Sequence, residues 1–200
     1  MMEKVAVLMA EGYEEGETLT IVDILRRAGI PCNTFAVETW QAKGQKEAAE
    51  NDGQGRFVKG MHGMMVKADK DFSDEVKEYD MLVLPGGRPG GANLKENPEV
   101  IQMVKYFAAE GKFVAAMCSG TLVLVEADVV EGKQVTGYTG YGEKMPGAIF
   151  KEDVVVADGK LVTSQGPATV FPFSYKLAEV LGKDVSVLKE RMLYNFAGGR

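Results

Sequence analysis

Phe113-Val-Ala-Ala-Met-Cys-Ser-Gly-Thr-Leu-Val-Leu-Val125 is the stretch from which the rest of the chain can be read. Phe113 to Met117 is a short, unbroken apolar run, the pattern of a strand buried on both faces of a parallel sheet, and the apolar run after Gly120 is long enough to open a helix. Cys118 sits between them. A thiol at a sharp strand-to-helix turn is held at the carboxyl edge of the sheet, where open α/β folds bind ligands and the first N–H groups of the helix favour an anion. Ala116-Met-Cys-Ser-Gly120 has the small-x-nucleophile-x-Gly form of a nucleophile elbow, in which small neighbours let a strained turn close. The alternative is a core thiol, since free cysteine is among the most buried residue types.

Outward from this turn, strands and helices alternate. Lys4 to Ala10 reads as a buried strand, Glu11 to Glu17 as a turn, and Thr18 to Ala28 as a helix with apolar residues at Leu19, Val22, Leu25 and Ala28, stopped by Gly29. Cys32 to Val37 is a second strand, in which Cys32 is in step with Thr34 and Ala36 and reads as a packing residue. Residues 39–55 are polar and Gly-bearing, the composition of a surface insertion. Phe57 to Ala68 predicts two short strands with a bend at Gly60 and Gly63, and His62 in that bend reads as a solvated side chain.

Tyr79 to Leu84 is the next buried strand, closed by Pro85-Gly-Gly87, where backbone N–H groups are free to face a ligand. Arg88 to Leu94 reads as a Gly-rich loop, and Asn97-Pro-Glu opens a helix to Glu110. After the Cys118 segment come a short strand at Gln134 to Thr136, an aromatic loop at Gly137 to Gly142, and a hairpin, Asp153 to Ala157 with Lys160 to Ser164, across Asp158-Gly159. Gln165 to Thr169 introduces a helix to Leu181, and Asp184 caps a final helix to about Asn195. The alternation predicts one α/β domain, 1–200, with a mostly parallel sheet covered by helices on both faces.

Composition narrows the function classes. With 200 residues, 46% apolar and 26% charged, the chain can bury an ordinary core, and a net charge of -6 without a basic stripe argues against nucleic acid. One histidine and two distant cysteines offer no zinc or iron-sulfur spacing, so no metal or cofactor is expected. No window suits a membrane span, and Met1-Met-Glu-Lys-Val carries an acid where a signal peptide would be basic, which predicts a cytoplasmic protein with free thiols.

Four motifs in register, Gly12-Tyr-Glu-Glu-Gly-Glu-Thr18, Val83-Leu-Pro-Gly-Gly87, Ala115-Ala-Met-Cys-Ser-Gly120 and Thr163-Ser-Gln-Gly-Pro-Ala-Thr169, resemble the ThiJ/PfpI family of the class I glutamine amidotransferase-like superfamily. The likeness is greatest to the branch of the human Parkinson-disease deglycase. It implies a flavodoxin-like sandwich, a homodimer, Cys118 as nucleophile with Glu17 against it, an oxyanion site at the N–H groups of Gly87 and Ser119, and Glu14 near the pocket or dimer interface. A protonated Glu17 would donate to the thiolate, lowering the thiol's pKa while its own rises. Two departures stand out. Ser119 occupies the position where peptidase-like members carry histidine, and Tyr138 matches the histidine of the next loop, so a Cys-His-acid peptidase is not expected.

The resemblance implies an enzyme for small reactive carbonyls or their adducts, of glyoxalase or deglycase type, with Cys118 adding to the carbonyl and Glu17 shuttling protons. A non-enzymatic oxidative-stress sensor using Cys118 oxidation, and a small-molecule hydratase or amidase, remain open.

Overall fold

The computed structural model describes residues 3–38 and 55–198. The expected insertion at 39–55 lies, but for Gly55, outside the described residues. Among the described residues, seven strands form the main sheet: β1 (Val5–Ala10), β2 (Cys32–Val37), β5 (Lys70–Asp71), β6 (Met81–Leu84), β7 (Phe113–Met117), β10 (Val155–Asp158) and β11 (Leu161–Ser164). Their order is β10-β11-β7-β6-β1-β2-β5. Every pair is parallel except the β10/β11 edge hairpin, which turns at Gly159-Lys160, one residue past the expected Asp158-Gly159, because Asp158 still pairs with Leu161. Two small pairs stand apart, the antiparallel β3 (Phe57–Lys59) with β4 (Met65–Lys67) and the parallel β8 (Gln134–Val135) with β9 (Ile149–Phe150).

The helices are α1 (Glu15–Arg27), α2 (Gly90–Lys95), α3 (Pro98–Ala109), α4 (Thr121–Glu126), α5 (Val170–Val180), α6 (Ser186–Arg191) and α7 (Tyr194–Gly198). They cover both faces because each central strand is apolar on both sides. Ala6 and Leu8 of β1, Leu82 and Leu84 of β6, and Val114 and Ala116 of β7 join Val104 and Phe107 of α3 and Leu124 of α4 in one core. Their neighbours Val5, Val7, Met81, Val83, Phe113 and Ala115 face the opposite way, onto Ile24 and Leu25 of α1 and Phe173 and Leu177 of α5. The two-residue period of a strand therefore feeds two cores at once.

Three expectations change in detail. The first helix begins at Glu15, not Thr18, because the Glu14 side chain accepts the Glu17 N–H at 2.5 Å and caps it. The Arg88 to Leu94 stretch is not all loop, since α2 starts at Gly90. The final helix is broken at Leu193, which takes a left-handed φ of 56° and turns Tyr194 back onto Tyr175, ring centroids 4.9 Å apart. Residues 186–198 thus lie on α5 and line no part of the cavity at Cys118.

Candidate active site

β7, β6 and β1 are adjacent, so the turns at their carboxyl ends meet. Cys118 ends β7 with φ of 52°, a left-handed conformation costly for any residue with a Cβ, and this projects its thiol out of the turn. Gly86, just past β6, makes the approach possible. A Cβ there would lie 2.6 Å from Cys118 Cβ and 2.8 Å from Glu17 Oε2, closer than real atoms pack. From β1 comes the loop leading to α1, whose Glu14 N–H donates to the Gly86 carbonyl at 3.0 Å.

Glu17 projects from the first turn of α1 and is fully buried. Its Oε2 accepts the Gly86 N–H at 2.7 Å, while Oε1 is buried with no hydrogen-bond partner of good geometry among the described residues. The Cys118 thiol is the side chain that meets this carboxyl. Burial, opposed by the Gly86 N–H and reinforced by the charge of Glu14, pushes Glu17 up to about 7. Burial and the Glu17 charge push the Cys118 thiol up to about 12, against the pull of the Ser119 and Gly87 N–H groups. The expected lowering of the thiol is thus corrected: beside an ionised Glu17 it keeps its proton. The two groups titrate as a pair. A thiolate becomes accessible when the proton resides on Glu17, and Oε1 is the atom open to hold it.

Above this pair lies a cavity of about 320 Å³ lined by Glu14, Met61, His62, Gly87, Arg88, Cys118, Ser119, Tyr138, Tyr141 and Pro167. Five of the six residues singled out in the sequence reach it, and Glu17 lies beneath Cys118. Their surroundings differ. Ser119 Oγ donates to the Gly87 carbonyl at 2.9 Å, so its hydroxyl is occupied, and Tyr138 packs edge-on against Tyr141 with centroids 5.7 Å apart. Such a floor can hold a small electrophile against the thiol, with N–H donors aimed at the sulfur and one carboxyl able to move a proton.

His62 and Arg88 were missed. The side chain of His62 is 60% exposed, as a solvated residue should be, yet its Nδ1 lies 2.8 Å from Oε2 of the buried Glu15. No local pattern could reveal this, because Glu15 and His62 are 47 residues apart. Arg88 follows the Pro-Gly-Gly turn and carried no motif of its own. Glu14, Glu15 and His62 place one ligand atom each within 4.8 Å of one another, a grouping that could hold a metal ion. Cys32 is buried, and burial pushes it up to about 12, consistent with a packing thiol.

Comparison with known proteins adds the lineage. The sequence model of the DJ-1/PfpI family matches residues 3–180. The chain is 35% identical to DJ-1 homolog B and DJ-1 homolog A of Arabidopsis thaliana, over 92% and 90% of its own length, but spans only 40% and 43% of theirs. It is 30% identical over 193 residues to the glutathione-independent glyoxalase DJ-1 of Schizosaccharomyces pombe, covering 92% of this chain and 94% of that protein. The crystal structure of Drosophila melanogaster DJ-1beta superposes with a TM-score of 0.84 at 29% identity, covering 96% of this chain and 98% of that one. No described helix is long and apolar enough to cross a membrane.

Proposed function

The chain belongs to the DJ-1/PfpI family, and on that premise we propose that it converts small reactive 2-oxoaldehydes, free or as early adducts, to hydroxy acids by way of Cys118 and Glu17. The observation that carries this reading is the buried Glu17 carboxyl, pushed up to about 7, whose Oε1 has no hydrogen-bond partner of good geometry among the described residues, with the Cys118 thiol beside it at the floor of a small cavity. A carboxyl that keeps its proton near neutrality can exchange it with a thiol and with a substrate carbon in turn.

Each step balances. Sγ attacks the aldehyde carbon, a C–S bond forms, the carbonyl π pair moves to oxygen and is protonated, giving a hemithioacetal. Glu17 carboxylate then takes the proton from that carbon and returns it to the neighbouring one, leaving a thioester of a 2-hydroxy acid. Water cleaves the thioester, restoring the thiol and releasing the acid, with no net oxidation. The Gly87 and Ser119 N–H groups would steady the oxyanions. A peptidase is disfavoured by the residue following the nucleophile candidate, a serine whose hydroxyl is bound to the Gly87 carbonyl. A homodimer and a cytoplasmic location are proposed on family resemblance. Within the monomer, Val22 and Leu25 of α1 are buried, and Leu19 is left exposed.

The test is turnover of methylglyoxal, followed as loss of aldehyde and appearance of lactate. Cys118→Ala should abolish it, and Glu17→Gln should lower it by at least about 100-fold. Oxidation of Cys118 to its sulfinic acid without turnover of any 2-oxoaldehyde would favour the sensor reading instead.

A further inference from the structure

The sequence holds a single histidine, and it stands on the wall of the Cys118 cavity. His62 lies in the turn between β3 and β4, and that turn is bound to the loop after β1. The Gly12 N–H donates to the Lys59 carbonyl at 2.7 Å, and the Met61 N–H to the Tyr13 carbonyl at 2.9 Å. Beneath it sits Glu15, 3% exposed, whose Oε1 accepts the backbone N–H of His62 at 2.8 Å and of Met64 at 3.4 Å. Its Oε2 meets the His62 ring at Nδ1, 2.8 Å away. Gly60 makes room, because a Cβ there would fall 2.2 Å from Glu15 Oε1. Backbone and ring of His62 are therefore gripped by one carboxylate.

The grip sets the tautomer. Burial alone would raise Glu15, but the His62 ring and the turn's N–H groups outweigh it and hold the carboxyl below its ordinary range, so Glu15 is ionised and accepts from Nδ1–H. Nε2 is then the nitrogen left to take or give a proton. The acids at the start of α1 thereby take different roles. Glu14 caps the helix, Glu15 clamps the imidazole, and Glu17 meets the thiol. In this tautomer Nδ1 carries a hydrogen and has no lone pair to offer a cation, while Glu14, whose Oε2 accepts the Glu17 N–H, places its Oε1 3.9 Å from the same Nδ1.

We infer that His62, oriented by Glu15, is a second acid/base group of the Cys118 site, giving its Nε2 proton to the substrate carbonyl oxygen as sulfur adds. In this step the C–S bond forms, the π pair goes to oxygen, and the proton passes from imidazolium Nε2 to that oxygen; the thiol's proton, held by Glu17, then returns through water to Nε2 and leaves Glu17 the carboxylate that the next step needs. This deepens the carbonyl reading of the same site and rests on it. It also assigns the base that the motif positions at Ser119 and Tyr138 do not supply.

The experiment compares parent, His62→Gln, His62→Ala, Glu15→Gln and the Glu15→Gln/His62→Gln double variant, using methylglyoxal. Iodoacetamide labelling of Cys118 reports whether the floor is intact. His62→Gln should lower kcat by at least about 100-fold with KM nearly unchanged and labelling retained, and added imidazole should partly restore His62→Ala. Glu15→Gln should lower kcat less, and add nothing in the double variant, as a positioning residue must. A His62→Gln enzyme within a few-fold of the parent would overturn the inference. So would turnover that a chelator abolishes and Zn²⁺ or Mn²⁺ restores. If the parent forms no hydroxy acid, the function proposed above falls, and the addition step is read alone as the rate at which methylglyoxal protects Cys118 from iodoacetamide. Slower protection in His62→Gln then supports the inference, while equal protection, or none in the parent, overturns it.

Discussion

Glu17→Gln should make the protein more stable above neutral pH while leaving it nearly unchanged in acid. In the unfolded chain this carboxyl ionises near 4.5, and in the folded protein burial pushes it up to about 7. Below the first value both states carry the proton and the carboxyl contributes no pH dependence. Between the two values the folded state holds a proton that the unfolded state has lost, so stability falls as pH rises. Above the folded value the penalty is complete. The rise of roughly 2.5 units corresponds to about 3 kcal/mol at about 1.36 kcal/mol per unit. A glutamine keeps the shape and can still accept the Gly86 N–H, but it carries no charge to bury. Urea denaturation of parent and variant at intervals from pH 4.5 to 8 measures the difference directly. The variant should gain on the parent progressively over this window, approaching about 3 kcal/mol. A gap that stays constant with pH would refute the claim that Glu17 is held protonated by its surroundings.

Cys118→Gly should be more stable than Cys118→Ala by about 1 kcal/mol, read from urea midpoints, because both lose the thiol but only glycine adopts the left-handed φ of 52° without strain. Gly86→Ala should destabilise by roughly 1–3 kcal/mol and suppress alkylation of Cys118, since its methyl must displace both the thiol and the Glu17 carboxyl. Iodoacetamide applied to the native protein should label Cys118 and spare the buried Cys32, with both labelled after denaturation, as peptide mass mapping would show.

Strand positions were legible because a central strand in this sheet is apolar on both faces and bounded by turn residues. Val5–Ala10, Met81–Leu84 and Phe113–Met117 are continuous runs of this kind, Cys32–Val37 was read by its two-residue step, and Asp158-Gly159 marks its hairpin within a few residues. Short edge elements carried no such signal. Lys70–Asp71 becomes a strand only because it lies beside Phe35 and Ala36 of β2, and Ile149–Phe150 only by pairing with Gln134–Val135. The start of α1 was misjudged because Gly16 reads as a turn residue, whereas the side chain of Glu14 and its bond to the Glu17 N–H set the boundary.

The elbow at Cys118 and the Pro-Gly-Gly turn follow from local order, since small residues and glycines act over a few positions. The sequence therefore determined Cys118, that turn and the parallel sheet that carries them, while Glu17 and the oxyanion roles of Gly87 and Ser119 entered only through the family resemblance. What only the tertiary structure decided is how their protons are shared. Burial raises both Glu17 and Cys118, and burial depends on packing from all sides. It also decided the place of His62, whose ring is bound to a carboxylate 47 residues away by a hairpin docked on the first loop. Contacts between distant segments obey the topology of the sheet, and no periodicity within either segment encodes them.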